Sequence, residues 1–350
     1  MSTLANQNTY KVAQWAAGRI GRSAMRAVIR HPAMELVALH VHSESKEGQD
    51  AGELCELEAI GVKATRDINA ILDAKPDCVL YMPEGYNLDD MCTLLAAGIN
   101  IVTTRSEFFN RNGMDPEVVQ RLDAACATGN SSIHATGSSP GFSSQILPLA
   151  LSCLSRRIDC LTIDEFADIP ASTTPSMITD VMGFGKPCPE NLEKELDHST
   201  QGFAQSLTAV AEAWNLTIDD YKLFTEFVPA KTPITLANGE VIEPGTCAAQ
   251  RKTIAAYAAG KPVLQLRANW YCAKDVDADW ELGDNGWRIT VEGDTPMKVD
   301  ISFPDTTGNF ADHMSGLTAH PAVNAVPFVC AAQPGILTNL DLPPIMPRLA

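Results

Sequence analysis

Short apolar runs alternate with helically periodic stretches over the first half of the chain. Residues 11–15 (KVAQW) and 35–41 (ELVALHV) predict buried strands. Between them, residues 20–31 place Ile20, Ala24, Ala27 and Val28 on one face of a helix that His31-Pro32 closes. The pattern then repeats. A weaker strand at 62–65 precedes a helix at 68–74, and a strand at 78–82 (CVLYM), closed by Pro83, precedes a helix at 88–97 that ends at Gly98. A strand at 100–104 (NIVTT) precedes a helix at 116–128, with Pro116 in its first turn and Gly129 after its end. A strand at 132–135 precedes a helix at 142–154. Strands this apolar are buried on both faces, so the alternation predicts a parallel sheet covered by helices on each side, and right-handed crossovers make it doubly wound.

After about residue 157 the rhythm changes. Residues 160–167 (CLTIDEFA) alternate like a strand with one wet face, and residues 190–214 read as helical. Strand-like segments follow at 239–242, 263–271, 287–292 and 297–303, with Asn238-Gly239 and Asp284-Asn285-Gly286 as hairpin-type turns. The prediction is a second, α+β domain built on an antiparallel sheet. Residues 319–332 form an apolar helix that needs a partner surface, so the C-terminal part is expected to pack back on the first domain. The division is then 1–145 with 316–350 for the first domain and 146–315 for the second.

At 350 residues, 45% hydrophobic and 20% charged, the chain can bury two cores. The formal net charge of -17 repels phosphate backbones and anionic lipid, which argues against nucleic-acid and membrane partners. It also makes any Lys or Arg beside a phosphate-binding turn more informative. Ten cysteines without a CxxC pair and seven histidines without HxxxH spacing give no metal site and no disulfide frame. Residues 1–9 have neither a basic nor an apolar signal region, and no apolar run reaches the ~20 residues that span a bilayer. The expected location is the cytoplasm.

The candidate chemistry begins at Trp15-Ala16-Ala17-Gly18-Arg19-Ile20-Gly21-Arg22, between the first strand and the first helix. That is the context of a dinucleotide fingerprint, in which a helix N-terminus holds phosphate charge. Gly18 lets the backbone approach a pyrophosphate and Gly21 lets the helix pack on the strand. Ala16 stands where the first glycine of GxGxxG is usual, which leaves a GxxG that also suits a plain tight turn. The loop after the second strand offers His42, Ser43 and Lys46 for a 2′-phosphate, or Glu44 for a ribose hydroxyl. NADP(H) is favoured, with NAD(H) as a second cofactor, and Arg19 is a further phosphate candidate. Ligands in such sheets lie beyond the carboxyl ends of the strands, where Met82, Pro83 and Thr104 would line the nicotinamide ribose.

Several stretches together resemble one family. Residues 11–30, 35–43 (ELVALHVHS), 50–54 (DAGEL), 101–107, 136–142, 165–168 (EFAD), 180–185 and 322–335 are similar to dihydrodipicolinate reductase-like proteins, and more narrowly to native amine dehydrogenases and 2,4-diaminopentanoate dehydrogenases. The resemblance implies a Rossmann domain, an α+β domain that dimerises through its sheet, and NAD(P)H-dependent reductive amination of a ketone or aldehyde with ammonia. It also implies that Glu107, after the fifth strand, is the catalytic residue. A carboxylate suits that chemistry, because protons must move on and off nitrogen and oxygen and a cationic iminium must be stabilised. Ser138 and Ser139 stand where the family carries a larger or amide-bearing pair, and Ser139, Ser144 and Ser172 then read as small residues around a roomier substrate pocket. Dihydrodipicolinate reductase itself carries a paired-His segment that this chain lacks. Two other readings stay open: a reductase of the same fold that uses no free ammonia, and a cofactor-binding regulator without turnover.

Overall fold

The computed structural model describes residues 9–172, 174–194, 196, 198–304 and 310–347. The chain divides into two compact units, Met1–Phe142 with Asp312–Ala350, and Ser143–Ala311.

The first unit opens with β1 (Tyr10–Trp15), α1 (Arg19–Ile29), β2 (Met34–His40), the single turn α2 (Ala51–Leu54) and β3 (Ala64–Thr65). It continues with α3 (Ile68–Ala74), β4 (Cys78–Tyr81), α4 (Leu88–Ala96), β5 (Asn100–Thr103), α5 (Pro116–Gly129) and β6 (Ser132–Ala135). Local chemistry sets these boundaries. Asp67, Asn87 and Asp115 cap α3, α4 and α5 through side-chain oxygens that accept backbone N–H groups. The helix α5 includes Gly129 rather than stopping before it. Asn130 takes the left-handed cap at φ 53°, and a Cβ on Gly129 would lie 1.9 Å from the Leu95 carbonyl oxygen. Close packing on α4, not the cap, requires that glycine. The expected helix at 142–154 forms up to Ser152, π-wound to Ile146 and α-helical from Leu147, and it is preceded by non-helical backbone at Ser139, Pro140 and Gly141.

The second unit contains α6 (Leu147–Ser152), β7 (Ile158–Asp168), α7 (Ile169–Ser172), β8 (Leu192–Lys194), α8 (His198–Ala213), β9 (Asp220–Pro229), β10 (Ile234–Thr235), β11 (Val241–Ile242), β12 (Cys247–Ala258), β13 (Lys261–Tyr271), β14 (Gly286–Gly293) and β15 (Met297–Ser302). Its main sheet has the order β15-β14-β7-β13-β12-β9-β8. It is mixed, not antiparallel throughout, because β7 and β13 run parallel. A parallel pair needs a long crossover, and the chain supplies one through α8, β9 and β12. The expected helix at 190–214 is shortened for a related reason: Leu192–Lys194 pairs with β9 and is held as strand by that partner. The hairpin β12–β13 turns at Ala259 and Gly260, both at positive φ, while Asn238-Gly239 joins only the two-residue strands β10 and β11. Helix α8 buries Ala204, Leu207, Val210 and Ala211 against Ile254, Leu264, Leu266 and Ile289 on one sheet face.

The chain then returns to the first unit through α9 (Phe310–Cys330) and β16 (Gly335–Leu337). The first sheet thus has seven parallel strands in the order β16-β6-β5-β4-β1-β2-β3. Helices α1 and α9 cover one face, burying Met25, Val28, Val323 and Val326 with Val12 and Leu80. Helices α3, α4 and α5 cover the other, burying Ile71, Leu94 and Leu122 with Val79 and Ile101. The strand order reverses direction at β1, and a doubly wound sheet opens its crevice at that point.

Candidate active site

The register aligns one row of residues across the carboxyl ends of five strands: His40, Trp15, Tyr81, Thr103 and Ala135. The segments singled out in the first unit follow that row directly. In a parallel sheet the loops leaving such a row share one edge.

The turn after β1 is built around two constraints. Ala16 sits at φ 76°, a conformation ordinarily left to glycine, so the position is glycine-like in backbone although it carries a methyl group. Its N–H donates to the His40 carbonyl at 2.9 Å, and the buried Gln14 amide donates to the Trp15 and Ala16 carbonyls at 3.3 and 3.0 Å. These bonds hold the unusual backbone. Gly21 faces the same carbonyl: a Cβ there would stand 2.1 Å from the Ala16 oxygen. Gly18 differs. It is the N-cap of α1 at an ordinary φ of -75°, and a Cβ on it would meet nothing within 4 Å. No neighbour among the described residues requires glycine there, which leaves room for a ligand to approach. The first turn of α1 has no side-chain cap and no acidic residue. Residues Ala17 to Gly21 therefore fit a dinucleotide pyrophosphate, and the nicotinamide class of cofactor suits the crevice they border.

The loop after β2 reaches this turn. The Lys46 ammonium donates to the Ala17 carbonyl at 2.8 Å, and neither Lys46 nor the exposed Arg19 forms an ion pair among the described residues. Ser43 and Ser45 hydroxyls lie 2.6 Å apart, with Ser43 and His42 exposed beside them. The His42 ring meets His40 edge-on, and His40 stacks on Trp15 at 3.7 Å between ring centroids. Burial, with help from the nearby His42, pushes the His40 pKa down to about 4. His40 therefore stays neutral as a stacking partner. Asp50, at the head of DAGEL, is buried and accepts the N–H groups of Gly52, Ile60 and Gly61. That motif is a loop clamp, and its carboxylate is not available to a ribose.

Beyond β4 and β5 the edge becomes charged. Met82 and Pro83 are buried, and Thr104 is half-buried. Thr103 Oγ1 donates to the Tyr81 carbonyl at 2.7 Å and accepts the Arg105 N–H at 3.1 Å. The Arg105 guanidinium donates to the Glu84 carbonyl through Nη1 and to Glu107 Oε1 through Nη2. Glu107 Oε2 is buried with no hydrogen-bond partner among the described residues. A buried carboxylate oxygen left in that state costs free energy until a donor reaches it. Sequence reasoning placed Glu107 but assigned no role to Arg105 or Gln14. An arginine two residues from a strand-end glutamate, in so acidic a chain, was the available signal.

The serines are less gathered. Ser138 Oγ lies 2.7 Å from Thr318 Oγ1 and so ties its loop to α9. Ser139 precedes a cis peptide to Pro140, and its Oγ is buried without a partner among the described residues. Ser144 is fully buried at the start of the second unit. The Ser172 side chain lies outside the described residues.

A doubly wound sheet with a glycine turn at its reversal point and a carboxylate beyond β5 defines the class: an NAD(P)-dependent oxidoreductase. Comparison with known proteins agrees. The 2,4-diaminopentanoate dehydrogenase C-terminal domain model matches residues 144–349, and the dihydrodipicolinate reductase N-terminus model matches residues 15–104. The first of these covers more than half of the chain, and the chain belongs to the 2,4-diaminopentanoate dehydrogenase family. An amine dehydrogenase from Streptomyces virginiae is 29% identical over 341 residues, covering 94% of this chain and 95% of that one. A 4-hydroxy-tetrahydrodipicolinate reductase from Methylococcus capsulatus is 29% identical over 154 residues, 44% of this chain and 52% of that one. The amine dehydrogenase structure from Mycobacterium smegmatis superposes with a TM-score of 0.69 at 19% identity, covering 97% of each chain, which shows a shared fold.

Proposed function

We propose that this protein is an amine dehydrogenase that joins ammonia to a ketone or aldehyde and reduces the product to an amine, and that also runs the reverse oxidative deamination. The observation that carries this reading is the unpartnered, buried Oε2 of Glu107 beyond the central strands. An ammonium, alkylammonium or iminium nitrogen offers the N–H donor and the positive charge that this oxygen lacks; a carbonyl oxygen offers neither. The amine dehydrogenase from Streptomyces virginiae, similar along almost the whole chain, supports the same class of substrate.

In this reading Glu107 accepts a proton from nitrogen as ammonia adds to the carbonyl carbon, and the proton that ammonium gives up on becoming ammonia neutralises the new alkoxide to a hydroxyl. Glu107 then returns its proton to the departing hydroxyl, so that water leaves, and its charge stabilises the resulting iminium. When bound, a nicotinamide cofactor would supply hydride to the iminium carbon. The overall balance is one carbonyl, one ammonium, one hydride and one proton giving one alkylammonium and one water. Ala17, Gly18, Arg19, Ile20 and Gly21 hold the pyrophosphate, and Met82, Pro83 and Thr104 border the nicotinamide ribose. His42, Ser43 and Lys46 receive a 2′-phosphate, which favours NADP(H) over NAD(H); Lys46 beside the turn carbonyl supports this choice. The first unit serves as the dinucleotide-binding domain. Ser138, Ser139, Ser144 and Ser172 are the substrate-pocket residues of this proposal, and the second unit pairs two copies through its sheet. We place this homodimer in the cytoplasm; no helix among the described residues is long and apolar enough to cross a membrane.

The test is a panel of small ketones and aldehydes with NADPH or NADH. Cofactor oxidation is expected only when ammonium is present. Equal oxidation without ammonium would replace this reading with a simple carbonyl or imine reductase, and tight cofactor binding without any turnover would replace it with a regulator.

A further inference from the structure

Arg105 touches more of the strand-end edge than any role assigned so far explains. Its backbone N–H is held by Thr103 Oγ1, which itself donates to the last carbonyl of β4. Its guanidinium binds the Glu84 carbonyl in the loop after β4 and Glu107 Oε1 in the loop after β5. The same two loops meet again where the Tyr86 ring packs edge-on against Phe108, 5.0 Å between centroids. Both charged side chains are about three-quarters shielded, with 24% and 26% exposure. Pinning one carboxylate oxygen fixes the direction of the other, so Glu107 Oε2 points where the loops dictate. The pin also offsets the carboxylate charge.

From this arrangement we infer that Arg105 is a positioning residue that aims Glu107 Oε2 at the substrate nitrogen and weakens the hold of Glu107 on a cationic amine. The inference rests on the amine dehydrogenase reading. Its two halves pull in opposite directions when Arg105 is lost. A freely rotating carboxylate is badly aimed, which slows proton transfer. A carboxylate without its guanidinium attracts an alkylammonium more strongly. Catalysis gains only from interactions that tighten in the transition state, so restraining the ground-state grip on the amine serves turnover.

The test uses tert-butylammonium, which has the N–H donors and charge of a substrate amine but no hydrogen on its amine-bearing carbon and cannot be oxidised. Its binding to the NADP+-loaded enzyme is followed by calorimetry, beside amine oxidation rates, for wild type, Arg105→Gln and Arg105→Lys. For Arg105→Gln, kcat is expected to fall about 100-fold, the scale of a 1 Å misplacement. Its tert-butylammonium Kd is expected to fall roughly fivefold, the scale of a partly solvated ion pair. Arg105→Lys keeps the charge but not the two-pronged grip, so its Kd stays at the wild-type value while kcat falls part of the way. A purely structural arginine gives weaker probe binding and a lower Tm together. That result, an unchanged kcat in Arg105→Gln, or a Kd in Arg105→Gln no tighter than wild type would overturn the inference while leaving the amine reading intact. A wild-type enzyme that oxidises no amine and binds no probe would instead remove the amine reading, and this one with it.

Discussion

The two glycines of the cofactor turn look alike in sequence and do different work in the structure, which separate substitutions can expose. In Gly21→Ala the new Cβ falls 2.1 Å from the Ala16 carbonyl oxygen and 3.0 Å from Gln14 Nε2. Ordinary contact begins near 3.4 Å, so the first turn of α1 must lift by roughly 1 Å. Alanine returns about 1 kcal/mol of helix propensity, but overpacking against a fixed carbonyl costs about 1–3 kcal/mol. The blocking atom is backbone and Ala16 has no slack at its positive φ, so the upper range applies and the net loss is about 2 kcal/mol. For a unit of this size that lowers Tm by about 4–8 °C. Moving the helix N-terminus also weakens NADPH binding, by about tenfold or more for a loss of ~1.4 kcal/mol. In Gly18→Ala the Cβ enters open space, so stability should fall only by the ~0.5–1 kcal/mol by which alanine is poorer than glycine at an N-cap, lowering Tm by about 1–4 °C. If Gly18 holds the pyrophosphate as proposed, cofactor binding should still fall, because the new methyl group, with no atom of a described residue within 4 Å, would face the phosphate. Thermal unfolding without ligand and fluorescence titration with NADPH read both effects. An unchanged Tm in Gly21→Ala, or unchanged NADPH affinity in Gly18→Ala, would refute this division of labour.

Further outcomes follow from single contacts. Lys46→Ala removes the ammonium beside the Ala17 carbonyl and should weaken NADPH about tenfold or more, the worth of one charged hydrogen bond, while NADH changes far less; equal losses in titration would clear Lys46 of any 2′-phosphate role. Glu107→Gln should keep cofactor affinity and lose at least about 100-fold in amine turnover, as removal of a proton-transfer group does, and an undiminished rate would take Glu107 out of the mechanism. His134 is buried, its Nδ1 is 3.1 Å from the Leu337 carbonyl, and burial pushes its pKa down to about 4. It is therefore neutral in the fold, while the unfolded chain takes up its proton first as pH falls through about 6.5. Stability should drop between pH about 6.5 and 4 by on the order of 3 kcal/mol from this group, then level off. Unfolding curves for His134→Asn should show a shallower acid decline, and parallel curves would exclude His134 as a cause.

The first unit was largely legible because its signals are local. The β1 and β2 runs are apolar enough to name their own burial, and Asp67, Asn87 and Asp115 announce the helices they cap. The second unit hid more. Strand β12, with Cys247-Ala248-Ala249 at its head and Ala255-Ala256 further on, has little intrinsic strand preference and takes its conformation from β9 and β13 on either side. Leu192–Lys194 sits in a helical-looking stretch and is strand only because β9 accepts it. The parallel β7–β13 pair could not be read locally, since its partners are about a hundred residues apart in the chain. At the candidate site, the family resemblance singled out Glu107, but a sequence does not show where a guanidinium reaches, and the Arg105 contact with Glu84 exists only in the folded edge. Ala16 broke the expected motif in letters while keeping its backbone.

In the proposed reaction, nitrogen from free ammonia enters the product at this site. Isotopically labelled ammonium, a reactive ketone from the panel and NADPH should give an amine whose mass carries one label per NADPH oxidised, and Glu107→Gln should form almost none of it. Oxidation of NADPH that yields an alcohol, or an amine without the label, would contradict the account.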